Sequence, residues 1–296
     1  MNIDLLLGRP IKIELEENTY TKTNFDGLYL KNYKMKEFLP TIGYETYVSW
    51  CNSITMVPKD IADILWVKYE LYYKTLDSWT FLFNQCFDFN NQKPYENSPI
   101  LKGLKFMFGY DFSPSFDVKK ETPEEAFFFN IYDEKGRWLA KINKKNFEKI
   151  VENIKLVNSI KPSELSGWKE FAYERHEKRA LQYYHDKRMR SEKEDSFELN
   201  VENILRFLKL ETSSSYSEMM EWSLYELYNS YSMKTDTLRT LALNIGIYSG
   251  NVKINSGIQN SLIFGTTKKH EAEEKNLASG NNIENIAVGN DGNRNR

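Results

Sequence analysis

The stretch Ser215–Gly250, SYSEMMEWSLYELYNSYSMKTDTLRTLALNIGIYSG, decides how the rest of the chain is read. Ser215 with Glu218 three residues on is a capping box, in which each side chain satisfies a backbone N–H that a helix start leaves open. Met220, Leu224, Leu227 and Tyr231 then recur at steps of four, three and four, and Trp222, Tyr225 and Tyr228 widen the stripe. Such a face must be covered, either by the chain itself or by another protein. Thr235 is placed to cap a second helix carrying Leu238, Leu241, Ala242 and Ile245, with Gly246 as a left-handed stop. The expectation is an aromatic two-helix hairpin. Met219 and Met220 beside rigid rings also suit a docking groove, so Met220, Trp222, Tyr225, Tyr228 and Tyr231 are the interface candidates.

Working back towards the N-terminus, Phe197, Val201, Ile204, Leu205 and Leu208 mark another amphipathic helix. Before it, Trp168–Asp195 is long and highly charged, which predicts an exposed helix. Its core, RHEKRALQYYHDKRMR, interleaves Tyr183 and Tyr184 with Arg175, Lys178, Arg179, Lys187, Arg188 and Arg190. Cations with rings can follow a phosphate backbone and stack bases. Glu170, Glu174, Glu177, Asp186, Glu192, Glu194 and Asp195 lie in or beside the run, however, and mixed signs at helical spacing favour a solvated face. Nucleic-acid binding through residues 175–190 is therefore the second reading.

Phe127, Phe129 and Ile131 alternate ahead of Asp133–Gly136, and Trp138, Ala140 and Ile142 follow it, which predicts a β-hairpin. Asn143 then caps a helix with Phe147, Ile150, Val151 and Ile154 on one stripe. The Pro- and Ser-containing segment from Phe112 to Glu125 marks an internal boundary. Upstream, helices are expected at 34–39, at 43–54, behind Pro58, behind Asp77 or Ser78, and between Ser98 and Gly109. Two short strands are expected between Arg9 and Asn32. The fold class is thus α+β and predominantly α-helical, with short N-terminal strands, a central β-hairpin and a C-terminal helical bundle. Residues 1–111 form an N-terminal lobe and 112–264 the hairpin and bundle. Residues 265–296 have no aromatic side chain and make a polar tail unable to offset its ordering entropy.

The totals bound the function. At 296 residues, 41% hydrophobic and 15% aromatic, the chain can bury a large core. Lys and Arg number 40 against 42 Asp and Glu, a net charge of −2, so it is no general polyanion coat. Cys51 and Cys86 stand far apart, which fits reduced thiols rather than a disulfide framework. The short apolar run behind Asp4 is neither a signal peptide nor a membrane span, giving an expected place in the cytoplasm. The phosphate-cradling, zincin and nucleophile-elbow motifs are absent. His176 and His185, nine residues apart on a helix, are separated by about 13 Å, too far for one metal, and read as solvated. No catalytic residue, metal or cofactor is expected.

Three blocks carry a resemblance: GRPIKIE with GLYLKNYKMKEFLPTIGYETYVSW, INKKNFEKIVENIKLVNSI, and EWSLYELYNSYSMKTDTLRTLALNIGIYSG. Together they cover roughly a quarter of the chain. They resemble tail-morphogenesis proteins of tailed bacteriophages, of the tail assembly chaperone kind, from phages of low-GC Gram-positive hosts. The abundance of Lys, Asn, Ile, Tyr and Phe fits such AT-rich genomes. Glu226, Ser230 and Lys234 depart from the Gln, Asp and Arg common in that pattern. The resemblance implies a non-enzymatic factor in the host cytoplasm or on the virion. Its partners would be tape measure or baseplate proteins, or further copies of itself.

Overall fold

The computed structural model describes Leu5 and residues 8–15, 25–191 and 201–248. The chain divides into two units, Met1–Tyr231 and Ser232–Arg296.

The first unit begins with the two expected short strands, β1 (Ile11–Ile13) and β2 (Leu28–Leu30), paired antiparallel. A single turn, α1 (Met35–Phe38), ends ahead of Pro40, and α2 (Tyr44–Thr55) buries Tyr47, Cys51 and Ile54 as its spacing predicts. Pro58 opens a 3-10 turn that leads into α3 (Ala62–Tyr69), where Glu70 adopts a left-handed backbone and ends the helix. The side chain of Asp77 caps α4 (Ser78–Asn84) by accepting the Thr80 N–H at 2.8 Å. A two-residue pair, β3 (Phe87–Asp88) with β4 (Lys93–Pro94), precedes α5 (Pro99–Phe108). Gly109 closes α5 at a φ of 76°, a conformation that costs glycine nothing.

The expected hairpin is present as β6 (Phe127–Tyr132) and β7 (Trp138–Ile142), followed by α7 (Lys144–Val157) under an Asn143 cap; α6 (Pro123–Ala126) is one turn before it. The boundary at residue 112 is corrected. Asp111–Phe116 is a strand, β5, paired along its whole length with β6, so the sheet has the order β5-β6-β7. Pro114 is tolerated because β5 is an edge strand, where one side of the ladder needs no N–H. Residue 112 thus lies inside a sheet, and Met1–Tyr231 is one unit.

Sheet, α4 and α7 meet in an aromatic core. The rings of Phe83 and Phe127 stack at 4.5 Å, those of Phe129 and Phe147 at 5.2 Å, and Trp79 packs edgewise on Phe129. Offset and edge contacts of this kind add to the burial itself. A second, smaller apolar cluster, Ala62, Leu165 and Leu181, lies apart from it.

The C-terminal elements are α8 (Glu174–Ser191), α9 (Val201–Glu211), α10 (Tyr216–Met219) and α11 (Leu224–Tyr248). The capping box at Ser215 and Glu218 is formed, but it starts only one turn. The two-helix hairpin is corrected: α11 runs through Thr235 and Gly246 as one helix of 25 residues. Thr235 at a helix-interior site costs little, and an isolated Gly about 1 kcal/mol, so neither stops a helix that neighbouring residues favour. Of the second unit, Ser232–Tyr248 is described, all of it helical. The polar tail at 265–296 lies outside the described residues.

Candidate functional site

Two places bring chemistry-bearing side chains together. The first lies between α3 and α8. Asp63 is fully buried on α3, next to Ala62 in a helix whose one side turns towards α8. His185 donates from Nδ1 to Asp63 Oδ2 at 3.1 Å, and Arg188 reaches the same carboxylate with Nη2 at 3.0 Å. His185 and Arg188 are three apart on α8, the spacing that puts both on one face. Two turns earlier, Glu177 is buried too and accepts from Tyr73 Oη at 2.7 Å, Lys74 Nζ at 2.8 Å and Tyr72 Oη. Burial pushes the Glu177 carboxyl up, but the bonds from Lys74, Tyr72 and Tyr73 outweigh it and hold the group below the usual carboxylate range. Leu181 sits between the two acids, against Ala62 and Leu165.

The solvated reading of His185 is therefore corrected. A carboxylate on a different helix, 122 residues away in sequence, gives it a buried partner, and no local spacing predicts that. His176 is exposed and stacks edgewise on Tyr173, and His270 is outside the described residues. Nearby, Asp60 accepts from the Val57 N–H, Ser163 and Ser166. Burial raises its carboxyl, and these bonds together bring it below the ordinary value. The space among Lys59, Tyr73, Leu165, Trp168 and Glu177 does not admit even a water-sized body. Acid, base and histidine are thus spent on each other. The arrangement is a clasp between helices.

The second place is the foot of α11. Met220, Trp222, Tyr225, Tyr228 and Tyr231 are all partly buried and packed against the main core, and Met219, Leu224 and Leu227 are inside it. The carbonyls of Trp222 and Met220 accept the N–H groups of Met35 and Lys36 at 2.9 and 3.0 Å, capping the start of α1. Glu221 pairs with Lys34 and Lys36, Phe207 meets Tyr231 edge to face, and Tyr44 and Tyr228 share a hydroxyl contact. The ring-rich stripe predicted from sequence is thus largely covered by its own chain. Burial raises Glu226, with Lys34 opposing, at one of the positions that departs from the resemblance.

Beside Tyr228, a groove of about 250 Å³ runs past Cys51, Asn52, Asn158 and Lys161. Burial pushes the Cys51 thiol up to about 12, so at neutral pH it is not a thiolate nucleophile. Cys86, whose sulfur accepts from the Ser98 hydroxyl at 3.9 Å in the core, is likewise raised by burial to about 12.

In Ser232–Ala242 the side chains are exposed or half-buried. Met233, Leu238 and Leu241 are 72%, 38% and 52% exposed, and Ala242 is exposed. At 100° per residue, Leu238, Leu241 and Ala242 fall within a sector of about 100°. Sequence periodicity signals this stripe; its lack of cover does not follow from periodicity.

Among the described residues there is no group of three potential metal ligands, and no helix is long and apolar enough to cross a membrane. No family model, curated protein or solved structure matches the chain.

The six cations of the second reading divide. Arg188 is bound to Asp63, and Lys178 pairs with Glu174 and lies over the Trp66 ring at 4.4 Å. Arg175, Arg179, Lys187 and Arg190 are exposed.

Proposed function

We propose that this protein is a non-enzymatic assembly factor that binds an amphipathic helix of another protein through the exposed apolar face of α11. The observation that carries this reading is the exposed apolar sector Leu238, Leu241 and Ala242 on a regular helix, with exposed Met233 about 80° round from Leu241 at its edge. A contiguous exposed apolar patch, unlike singly scattered residues, marks an interaction surface. A helix laid along that sector would bury apolar area at i, i+3 and i+4 positions, the usual mode for helix-in-groove recognition. Met233 adds an unbranched side chain that adapts to different partners. The closed clasp between α3 and α8 supports the same reading, since its two buried carboxylates are already taken by cations and phenols of the same chain.

The resemblance to tail-morphogenesis proteins supplies the partner class: tape measure or baseplate proteins, whose long helices need cover before assembly. In this reading the foot of α11 is structural and the binding residues lie beyond Tyr231. Co-expression with a helical tape measure fragment tests it. Wild-type protein should raise the soluble fraction of the fragment, and Met233→Glu with Leu241→Glu should remove the gain. A fragment equally soluble with and without the protein contradicts the proposal.

A further inference from the structure

The outer face of α8 is independent of α11 and of the reading given to it. Arg175, Arg179, Tyr183 and Lys187 follow one another at four-residue steps, and Arg190 comes three later. At 100° and 1.5 Å per residue these five occupy a sector of about 120° along about 22 Å of helix. All five are exposed, Tyr183 to 72%. Of the acids in or beside this stripe in the sequence, two are turned elsewhere, and Glu192, Glu194 and Asp195 lie outside the described residues. Glu177 is buried against Tyr72, Tyr73 and Lys74, and Glu174 is paired with Lys178. Among the described residues, Asp186, which accepts from Gln182 at 3.1 Å, is the carboxylate left within the sector; Glu170 is exposed on the preceding loop. Among the described residues, none of the four cations has an ion-pair partner; Arg175 lies 5.6 Å from the Tyr173 ring centre.

We infer that this stripe binds the phosphate backbone of single-stranded nucleic acid, with Tyr183 stacking a base. Charge complementarity selects a polyanion, and an exposed ring in the middle of the cation row selects one with flat groups to stack. An anionic membrane surface is the poorer fit, because such helices bury an aliphatic face in lipid and the sector between these cations has none. The clasp gives the stripe a rigid base, since His185, Arg188 and Glu177 fix the opposite side of the same helix.

The test is fluorescence anisotropy of the full chain with a labelled thymidine oligonucleotide of about twenty nucleotides at about 50 mM salt. Binding is expected, with a log–log salt slope of about −2.8, or −0.7 for each of four phosphates, so affinity falls roughly 50-fold by about 200 mM. The fourfold variant R175Q/R179Q/K187Q/R190Q should lose at least roughly 30-fold at the lower salt. Tyr183→Ala should lose roughly 5- to 100-fold with little change in slope. If the fourfold variant does not fold, the pair K187Q/R190Q should still bring the slope to about −1.4. No binding by wild-type protein at low salt, unchanged binding by a folded variant, or binding to phosphatidylserine vesicles without binding to the oligonucleotide would each overturn the inference.

Discussion

The two long helices of the C-terminal half reverse what their compositions suggest. α8 is among the most charged segments of the chain, yet one side of it carries the buried ionisable groups Glu177 and His185, the latter facing a fully buried Asp63. α11 is rich in rings and aliphatic residues, yet Met233, Leu238 and Leu241 stand in solvent. The difference lies in what each helix finds opposite it. α8 meets α3 and the turn at Tyr72–Lys74, which offer a carboxylate, two phenols and an ammonium. A buried charge is tolerated only with partners of this kind, and each such partner must come from elsewhere in the fold. Composition therefore says how much charge a helix carries, while the opposing surface decides which side of it is structural.

The largest effect should come from breaking the clasp. Asp63→Ala leaves His185 and Arg188 facing an apolar gap, and such a loss costs about 3–5 kcal/mol. Denaturant unfolding would show it, and a loss below about 1 kcal/mol would mean that the pair is no better than a surface ion pair. Next comes the foot of α11. Trp222→Ala should cost about 2–3 kcal/mol, less than for a fully buried ring because Trp222 is only half-buried. Were thermal stability unchanged, the ring would belong to an interface instead of the core.

Glu177→Gln should cost about 1–2 kcal/mol, since the neutral amide accepts fewer and weaker bonds from Lys74, Tyr72 and Tyr73. This carboxyl also predicts a pH dependence. Its folded-state pKa lies below the unfolded one, so the stabilisation is complete above the unfolded carboxylate range, about 4.3, and is lost as pH falls through the lower folded value. Wild-type stability should fall more steeply below about pH 4.3 than that of Glu177→Gln. Parallel curves would contradict the assigned role. The smallest effect belongs to the outer part of α11, where Met233→Glu with Leu241→Glu should leave stability within about 0.5 kcal/mol.

Most of the helices and the hairpin were legible in the sequence because their signals are local: the Asn143 cap, the Asp77 cap, the Gly109 stop and the alternation through Phe127–Ile131. The misses arise where tertiary contacts outweigh a local preference. β5 hides behind Pro114, which suggests a break but fits an edge strand. Thr235 and Gly246 look like helix punctuation and are carried through by their neighbours in α11. Of the candidate sites, the cation row was visible, but its division into Lys178 and Arg188 inward and the other four outward needed the position of α3. The pairing of Asp63 with His185 had no sequence signal beyond a charged residue within an apolar stretch, ADILW.

The comparison between the helices turns most directly on the Met233→Glu, Leu241→Glu variant, purified in parallel with wild-type protein. Its melting temperature and its ability to keep a helical tape measure fragment soluble should be read side by side. An open binding face predicts an unchanged melting temperature together with a lost solubilising effect. A clear drop in melting temperature, or full retention of the effect, would contradict it.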